Sequence, residues 1–264
     1  MTDLRDDDQD DEQVDGQAID ALALLGPNRY APELTWPALR DTCRALGVGR
    51  VVVAPPLPPD RDLARAGRRL VSLAESTAAD PVRAIPLARV DPWEPSAAAD
   101  AAELLDSGAR GVLVHPWEDN FRINDVGLLT PLLHELRAAG APLVVEAGFP
   151  WVAEPAQLAD LARRFPSVPV VATRGGHMNM SGLSGAAMLA ALRQAANLHV
   201  LTSGVYRQDW LEQVVGAVGA DRVAYASHAP VFDPRLEFLR PRALPEPATR
   251  QAVLAATATR LFER

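Results

Sequence analysis

Cysteine occurs once, at Cys43, so an internal disulfide is excluded and cysteine usage gives no sign of an oxidising compartment. No apolar run is long enough to span a bilayer. The N-terminus is acidic, which is wrong for a secretory signal. A cytoplasmic protein with no membrane partner is expected. Lysine is absent, and all 26 basic residues are arginine, a bias that codon usage accounts for. An excess of positive charge is missing too. The net charge is −8, but residues 1–16 hold eight acids and one arginine, which leaves −1 for the rest. A near-neutral body argues against a nucleic-acid groove. The acidic stretch has almost no apolar content. Residues 1–17 are therefore expected to form a disordered, solvated tail, with docking to a basic partner as the alternative, and 18–264 a single domain.

Apolar residues make up 48% of the 264, enough for a large core. The clearest stretch is 111–148. GVLVHP is a short β-branched run ending at His115 and Pro116. Leu128, Leu129, Leu132, Leu133 and Leu136 then recur at helical spacing, and Gly140 stops the helix. PLVVEAG is a second buried-strand run ending at Glu146 and Gly148. Strand, helix, strand in this order is a βαβ unit with parallel strands. The same alternation runs along the chain. Strands are predicted at 18–25, 51–54, 83–90, 111–115, 142–146, 168–173, 199–203 and 222–227. Helices are predicted between them and at 247–262, and a proline-rich loop at 228–246. Pro86 weakens the third strand. Asp60 is the candidate cap of the helix at 61–75, and Ser96 that of the next. Eight strand–helix pairs in this length predict an α/β (β/α)₈ TIM barrel. The runner-up, a doubly wound open sheet, would show a glycine-rich phosphate turn after its first strand, and Leu25-Gly26-Pro27-Asn28 is not one.

Barrels carry their chemistry at the C-terminal ends of the strands. By alternation, Ala224, Ala226 and His228 share one side of the last strand, with His228 pointing into the mouth. Asp20, Leu22 and Leu24 share a side of the first strand. Thr173 ends the sixth strand, and Arg174 and His177 follow. His115, Glu146 and His228 are the candidate catalytic residues; Leu22, Leu24, Thr173, Arg174 and His177 are candidates for lining the pocket. An arginine at a strand end commonly pairs with a nearby acid such as Glu146. His177 with Met178 and Met180 is expected in a flexible loop over the mouth. Trp93, Trp117 and Trp151 follow strands three, four and five, where they wall a pocket or cover the rim. Cys43 falls on a helix and is read as core.

The segments IDALALLG (19–26), ARVDP (88–92), 108–148, LADLARRFPSVPVVATRGG (158–176), 201–230 and ATATRLF (256–262) resemble the amidohydrolase-related family of metal-dependent hydrolases. The likeness is to the branch that includes aminocarboxymuconate-semialdehyde decarboxylase. The resemblance implies a (β/α)₈ barrel with a divalent metal at its mouth. It also implies where the ligands would be. The family's first strand carries His-x-His, where this chain has Leu22-Ala23-Leu24. Its fifth strand ends in His-x-Gly; here it is Glu146-Ala147-Gly148. A histidine before the glycine pair is replaced by Thr173, and Ser-Asp-x-Pro by Ser227-His228-Ala229-Pro230. Of the family's site-lining residues only His115 is retained.

Zinc and similar ions need about three or four N, O or S donors at ~2.0–2.3 Å. Leu22 and Leu24 offer none and make the floor of the mouth apolar. No cofactor is therefore expected. Two functions follow as expectations. The first is a non-catalytic homologue acting as a binding module or subunit, as a homo-oligomer or with a catalytically complete paralogue. The alternative is an enzyme, hydrolase- or decarboxylase-like, with a site rebuilt from His115, Glu146 and His228 for a small carboxylated or amide substrate.

Overall fold

The computed structural model describes residues 18–177 and 182–263. In chain order the elements are β1 (Ala18–Leu24), α1 (Trp36–Ala45), β2 (Val48–Ala54), α2 (Leu63–Ser76), β3 (Arg83–Pro86), β4 (Ala88–Arg89) and α3 (Ala97–Asp106). There follow β5 (Val112–Val114), α4 (Val126–Ala139), β6 (Leu143–Val145), α5 (Pro155–Arg164), β7 (Val170–Ala172) and α6 (Gly182–Gln194). The chain continues with β8 (Leu198–Leu201), α7 (Gln208–Val218), β9 (Val223–Ala224), α8 (Pro234–Arg242), α9 (Pro247–Gln251) and α10 (Thr257–Phe262).

All strand pairs are parallel, in the order β1-β2-β3 and β4 through β9. β3 and β4 are two halves of one strand interrupted at Leu87, so the nine segments make eight barrel strands. Leu87 N–H still donates to Val53 O at 2.8 Å, while the next N–H, of Ala88, turns to Gly111 O. Pro86 is thus tolerated where the strand changes partner. The barrel closes through the 225–229 segment: Ala21 N–H donates to Tyr225 O (2.8 Å), His228 N–H to Leu22 O (2.7 Å) and Leu24 N–H to Ala229 O (2.7 Å).

The strands are buried on both faces, which is why they read as continuous apolar runs. Leu22, Leu113, Val144, Val171, Ala224 and Ala226 meet inside the barrel, joined by Leu261 and Phe262 from α10. The other faces pack on the helices. α4 ends at Gly140, whose left-handed backbone (φ 63°) closes the turn as its sequence position suggests.

Three local expectations change. The cap of α2 is Asp62, whose carboxylate accepts from Arg65 N–H at 2.9 Å; Asp60 lies outside the helix. Ser96 stands at the start of α3 but donates to the Asp100 side chain instead of capping. The stretch after the last strand holds a helix, α8, capped by Asp233 with Pro234 in its first turn.

Candidate functional site at the barrel mouth

Glu146 follows the last residue of β6 and extends its ladder, its N–H donating to Val114 O at 3.0 Å. Its side chain is 1% exposed. One carboxylate oxygen, Oε2, accepts from Arg174 Nη1 at 2.6 Å and from Thr173 Oγ1 at 3.2 Å. The other, Oε1, lies 2.8 Å from His228 Nε2, a charge-assisted contact off the linear geometry of a strong hydrogen bond. Thr173 Oγ1 in turn accepts from Ala147 N–H at 3.1 Å. These partners come from the ends of the neighbouring strands β6 and β7 and from the segment after β9, with β8 between.

The loops that deliver them are bent in an unusual way. Arg174 (φ 55°) and His228 (φ 54°) both have left-handed backbone, costly for residues with a Cβ. Arg174 is held there by its N–H bond to Ser203 Oγ (3.3 Å) and by Gly175 and Gly176, which continue the left-handed turn. His228 is held by its N–H bond to Leu22 O and by Phe232, whose ring meets the imidazole edge at 5.8 Å.

Burial alone would raise the Glu146 carboxyl, but Arg174, then His228, outweigh it and hold it well below the usual carboxylate range. Glu146 is therefore ionised at neutral pH, with Oε2 hydrogen-bonded and Oε1 in contact with His228. A carboxylate in that state is a poor proton acceptor.

His115 takes a separate position. Its Nδ1 accepts from Glu118 N–H at 3.2 Å, and its Nε2 faces Glu118 Oε1 at 3.6 Å. Its ring packs on Phe149 at 5.5 Å. Burial lowers its pKa, with Glu146 and Glu118 opposing. Among the described residues it makes no hydrogen bond or ion pair with Glu146 or His228. Of the three residues expected to converge, two are paired and the third is turned to Glu118.

Leu22 and Leu24 face the barrel interior. Asp20 does not share their side. The register of β1 shifts between Asp20 and Ala23, so Ile19 and Ala21 point inward with Leu22 and Leu24. Asp20 is turned to the outer layer near Cys43 and Tyr225, where it accepts from Ser227 N–H (2.8 Å) and Leu22 N–H (3.2 Å). Cys43 is buried and its thiol pushed up by desolvation, as suits a core residue. His177 bonds Gly175 O at 2.9 Å through Nδ1 and packs edge-on to Trp210 at 4.6 Å, away from Glu146. Met178 and Met180 lie outside the described residues.

Sequence reading misses two further charge groups. Arg89, fully buried, bonds Glu118 Oε2 at 2.6 Å and lies 3.8 Å from Asp119. Burial raises the Asp119 carboxyl to about 6. Glu237 on α8 accepts from Gly204 N–H at 2.9 Å and pairs with Arg240 at 3.0 Å. Arg89, like Asp20, could have been found as a charged residue within a buried strand run; Glu237 could not, because its helix had no apolar periodicity. Among the described residues no three His, Cys, Asp or Glu side chains converge as a metal-holding group.

The family model described as amidohydrolase matches residues 10–264. Among solved structures, a TIM-barrel protein from Bordetella bronchiseptica is 18% identical with a TM-score of 0.72, over 92% of this chain and 97% of that one. A 2,6-dihydroxybenzoate decarboxylase from Rhizobium is 16% identical, TM-score 0.71, over 94% and 98%. A 5-carboxyvanillate decarboxylase variant from Novosphingobium aromaticivorans, with bound manganese and a nitrobenzoic acid, is 15% identical, TM-score 0.70, over 96% and 98%. At these identities the likeness establishes the fold. No curated protein matches. No helix among the described residues is long and apolar enough to cross a membrane.

Proposed function

The chain belongs to the amidohydrolase family, and we propose that within it this protein is a non-catalytic member that works as a binding or partner subunit. One observation carries the reading: Glu146 is buried between Arg174 and His228, above a floor of Leu22 and Leu24. A divalent ion does not fit this donor set. Oε2 of Glu146 is taken by Arg174 and Thr173, Oε1 lies against the His228 ring, and a guanidinium 2.6 Å from Oε2 repels an incoming cation. The Thr173 hydroxyl is engaged by Glu146 and Ala147, and the leucines supply no donor. The ion pair takes the place of the metal as the group that holds the strand ends together. The protein then acts through its surface, as a homo-oligomer or beside a catalytically complete paralogue.

Elemental analysis of the purified protein, with a thermal-shift screen of divalent metals, tests this. Sub-stoichiometric metal and no metal-induced rise in Tm are expected. A tightly bound stoichiometric transition metal would sink the reading. Co-purification with a paralogue tests the partner.

A second reading keeps an enzyme at His115. Its ring is desolvated yet not sealed off, with a side chain 10% exposed and Glu118 beside it, a pairing suited to proton transfer on a small carboxylated or amide substrate. In that case Glu146 and His228 support the site, and Glu146→Ala and His228→Ala abolish turnover. Unchanged phenotypes in both variants remove this reading.

A further inference from the structure

The loop after β5 folds over the end of β4 and buries charge beneath it. Arg89, at the end of β4, and Asp119, on the loop, have side chains 2% and 0% exposed. Asp91 beyond β4 and Glu118 on the loop also face this spot, so three carboxylates meet there. Two guanidiniums answer them: Arg89 and, from the segment before α2, Arg61. Each is already taken. Arg89 Nη2 donates to Glu118 Oε2 at 2.6 Å, and Arg61 Nη2 donates to Asp91 Oδ2 at 3.3 Å. Asp91 Oδ1 also accepts from Trp93 N–H at 3.1 Å. Asp119 is the acid left over. Arg89 stands 3.8 Å from it, and neither of its carboxylate oxygens has a hydrogen-bond partner among the described residues. Two buried acids that compete for one guanidinium cannot both be ion-paired, and the unpaired one takes a proton.

The turn that buries Asp119 also sets the mouth. Asp119 N–H donates to His115 O (3.0 Å), Phe121 N–H to Pro116 O (3.0 Å) and Glu118 N–H to His115 Nδ1 (3.2 Å). The His115 ring is thus fixed by the residues beside Asp119. Within the turn, Trp117 stacks on Phe149 (5.6 Å, 12° between planes), and the Arg174 guanidinium lies over the same ring at 5.1 Å. Trp117 lines an open depression of about 830 Å³ with Trp93 and Trp151. Asn120, with left-handed backbone (φ 53°), turns the chain before Phe121 and Ile123 enter the core. The segment between His115 and Phe121 is short, and the one side chain it buries without a bonding partner is that of Asp119.

We infer that Asp119 is a proton-controlled latch: protonated, it holds the 115–121 loop closed over β4; ionised, it loosens that loop and with it His115 and Trp117. The direction is set by which form of the loop binds the proton more tightly. Burial raises the Asp119 carboxyl to about 6; Arg89 and Arg61 oppose the rise, while Asp91 and Glu118 add to it. In an open loop the carboxyl returns to the ordinary Asp value of about 4. The closed loop therefore binds the proton more tightly. Its advantage is complete below the ordinary Asp value and is lost as pH rises through about 6. Between pH 5 and 7.5 the open-to-closed ratio rises about tenfold. The latch works whether or not His115 is catalytic.

Amide hydrogen exchange of the full chain between pH 5 and 7.5, corrected for the intrinsic dependence of exchange on pH, tests this. Protection at Glu118, Asp119 and Phe121 should fall about tenfold across the range, while amides inside α4, such as Leu132 and Leu133, stay level. Asp119→Asn fills nearly the same space without ionising. It should keep the loop amides at their acid level of protection at every pH. Protection in the wild-type loop that is flat with pH, or a pH dependence that survives in Asp119→Asn, overturns the proposal. Should that variant fail to fold, the carboxyl carbon shift of Asp119 in the wild-type chain decides by NMR. Titration at about 6, alongside the fall in protection, supports the latch; titration at the ordinary value of about 4 overturns it.

Discussion

Glu146→Ala deletes the carboxylate that Arg174, His228 and Thr173 all face. Removing one partner of a buried ion pair costs about 3–5 kcal/mol, because a charge is left without compensation. The structure places this case in the lower half of that range. The Arg174 side chain is 14% exposed and can regain water. The Thr173 hydroxyl loses an acceptor, which adds about 1 kcal/mol. The expected loss is about 4–5 kcal/mol at pH 7, or roughly 10–15 °C in Tm for a chain of this length. Urea and thermal denaturation measure it. Replacing all three groups by apolar ones, Glu146→Met with Arg174→Met and His228→Leu, should recover most of the loss, since the desolvation cost goes with the charges. The pH dependence has a fixed sign. The folded-state pKa of Glu146 lies below its unfolded value, so its stabilisation is present above the ordinary carboxylate range and is lost as pH falls through the folded value. The variant should therefore show a flatter acid limb. A Glu146→Ala protein within about 1 kcal/mol of wild type at pH 7 would refute the argument that this ion pair holds the mouth together.

Burial raises the Asp20 carboxyl to about 7, so the native chain binds that proton more tightly than the unfolded chain. The stability this adds is complete below the ordinary Asp value and is lost as pH rises through about 7. Asp20→Asn keeps an acceptor for Ser227 N–H and should flatten the decline in Tm toward alkaline pH; a curve parallel to wild type counts against it. Gly176→Ala should cost about 2 kcal/mol, because the backbone is left-handed (φ 72°) and the new methyl runs into the Met188 sulfur; an unchanged urea midpoint would contradict this. Arg89→Met should destabilise by about 3–5 kcal/mol and more at pH 8 than at pH 5, since Asp119, already raised to about 6 by burial, loses the cation that opposes the rise. A pH-independent loss would show that Asp119 is not coupled to Arg89.

The barrel was legible because both signals that define it are local. β-branched runs buried on both faces and helices with one apolar stripe alternate through the whole chain. The inward side of the last strand was legible too, since small Ala224 and Ala226 fit the interior and bulky Tyr225 fits the outer layer. The first strand misled. Period-two alternation put Asp20 with Leu22 and Leu24, but the register shift in β1 sends it outward, and nothing in AIDALAL marks the irregularity. α8 was passed over because Pro234 and Pro241 resemble a loop and few of its residues are buried. Its signature, an Asp cap followed by Pro, was nevertheless present. The Arg174–Glu146 pair agrees with the habit of strand-end arginines. That His115 would turn to Glu118 was not legible, because the contact depends on how the loop after β5 folds back.

The sequence by itself determined the layers of the barrel and the inventory at its mouth: leucines at 22 and 24, an acid at 146, a histidine at 228. These are properties of single positions and short periods. Only the tertiary structure decided that Glu146 meets Arg174 and His228, and that three tryptophans share one depression. Those meetings join loops distant in sequence, and they depend on left-handed backbone at Trp151, Arg174 and His228. Such backbone is unfavourable locally, and at Arg174 and His228 it persists because the distant Ser203 and Leu22 hold it, so no local pattern announces it there.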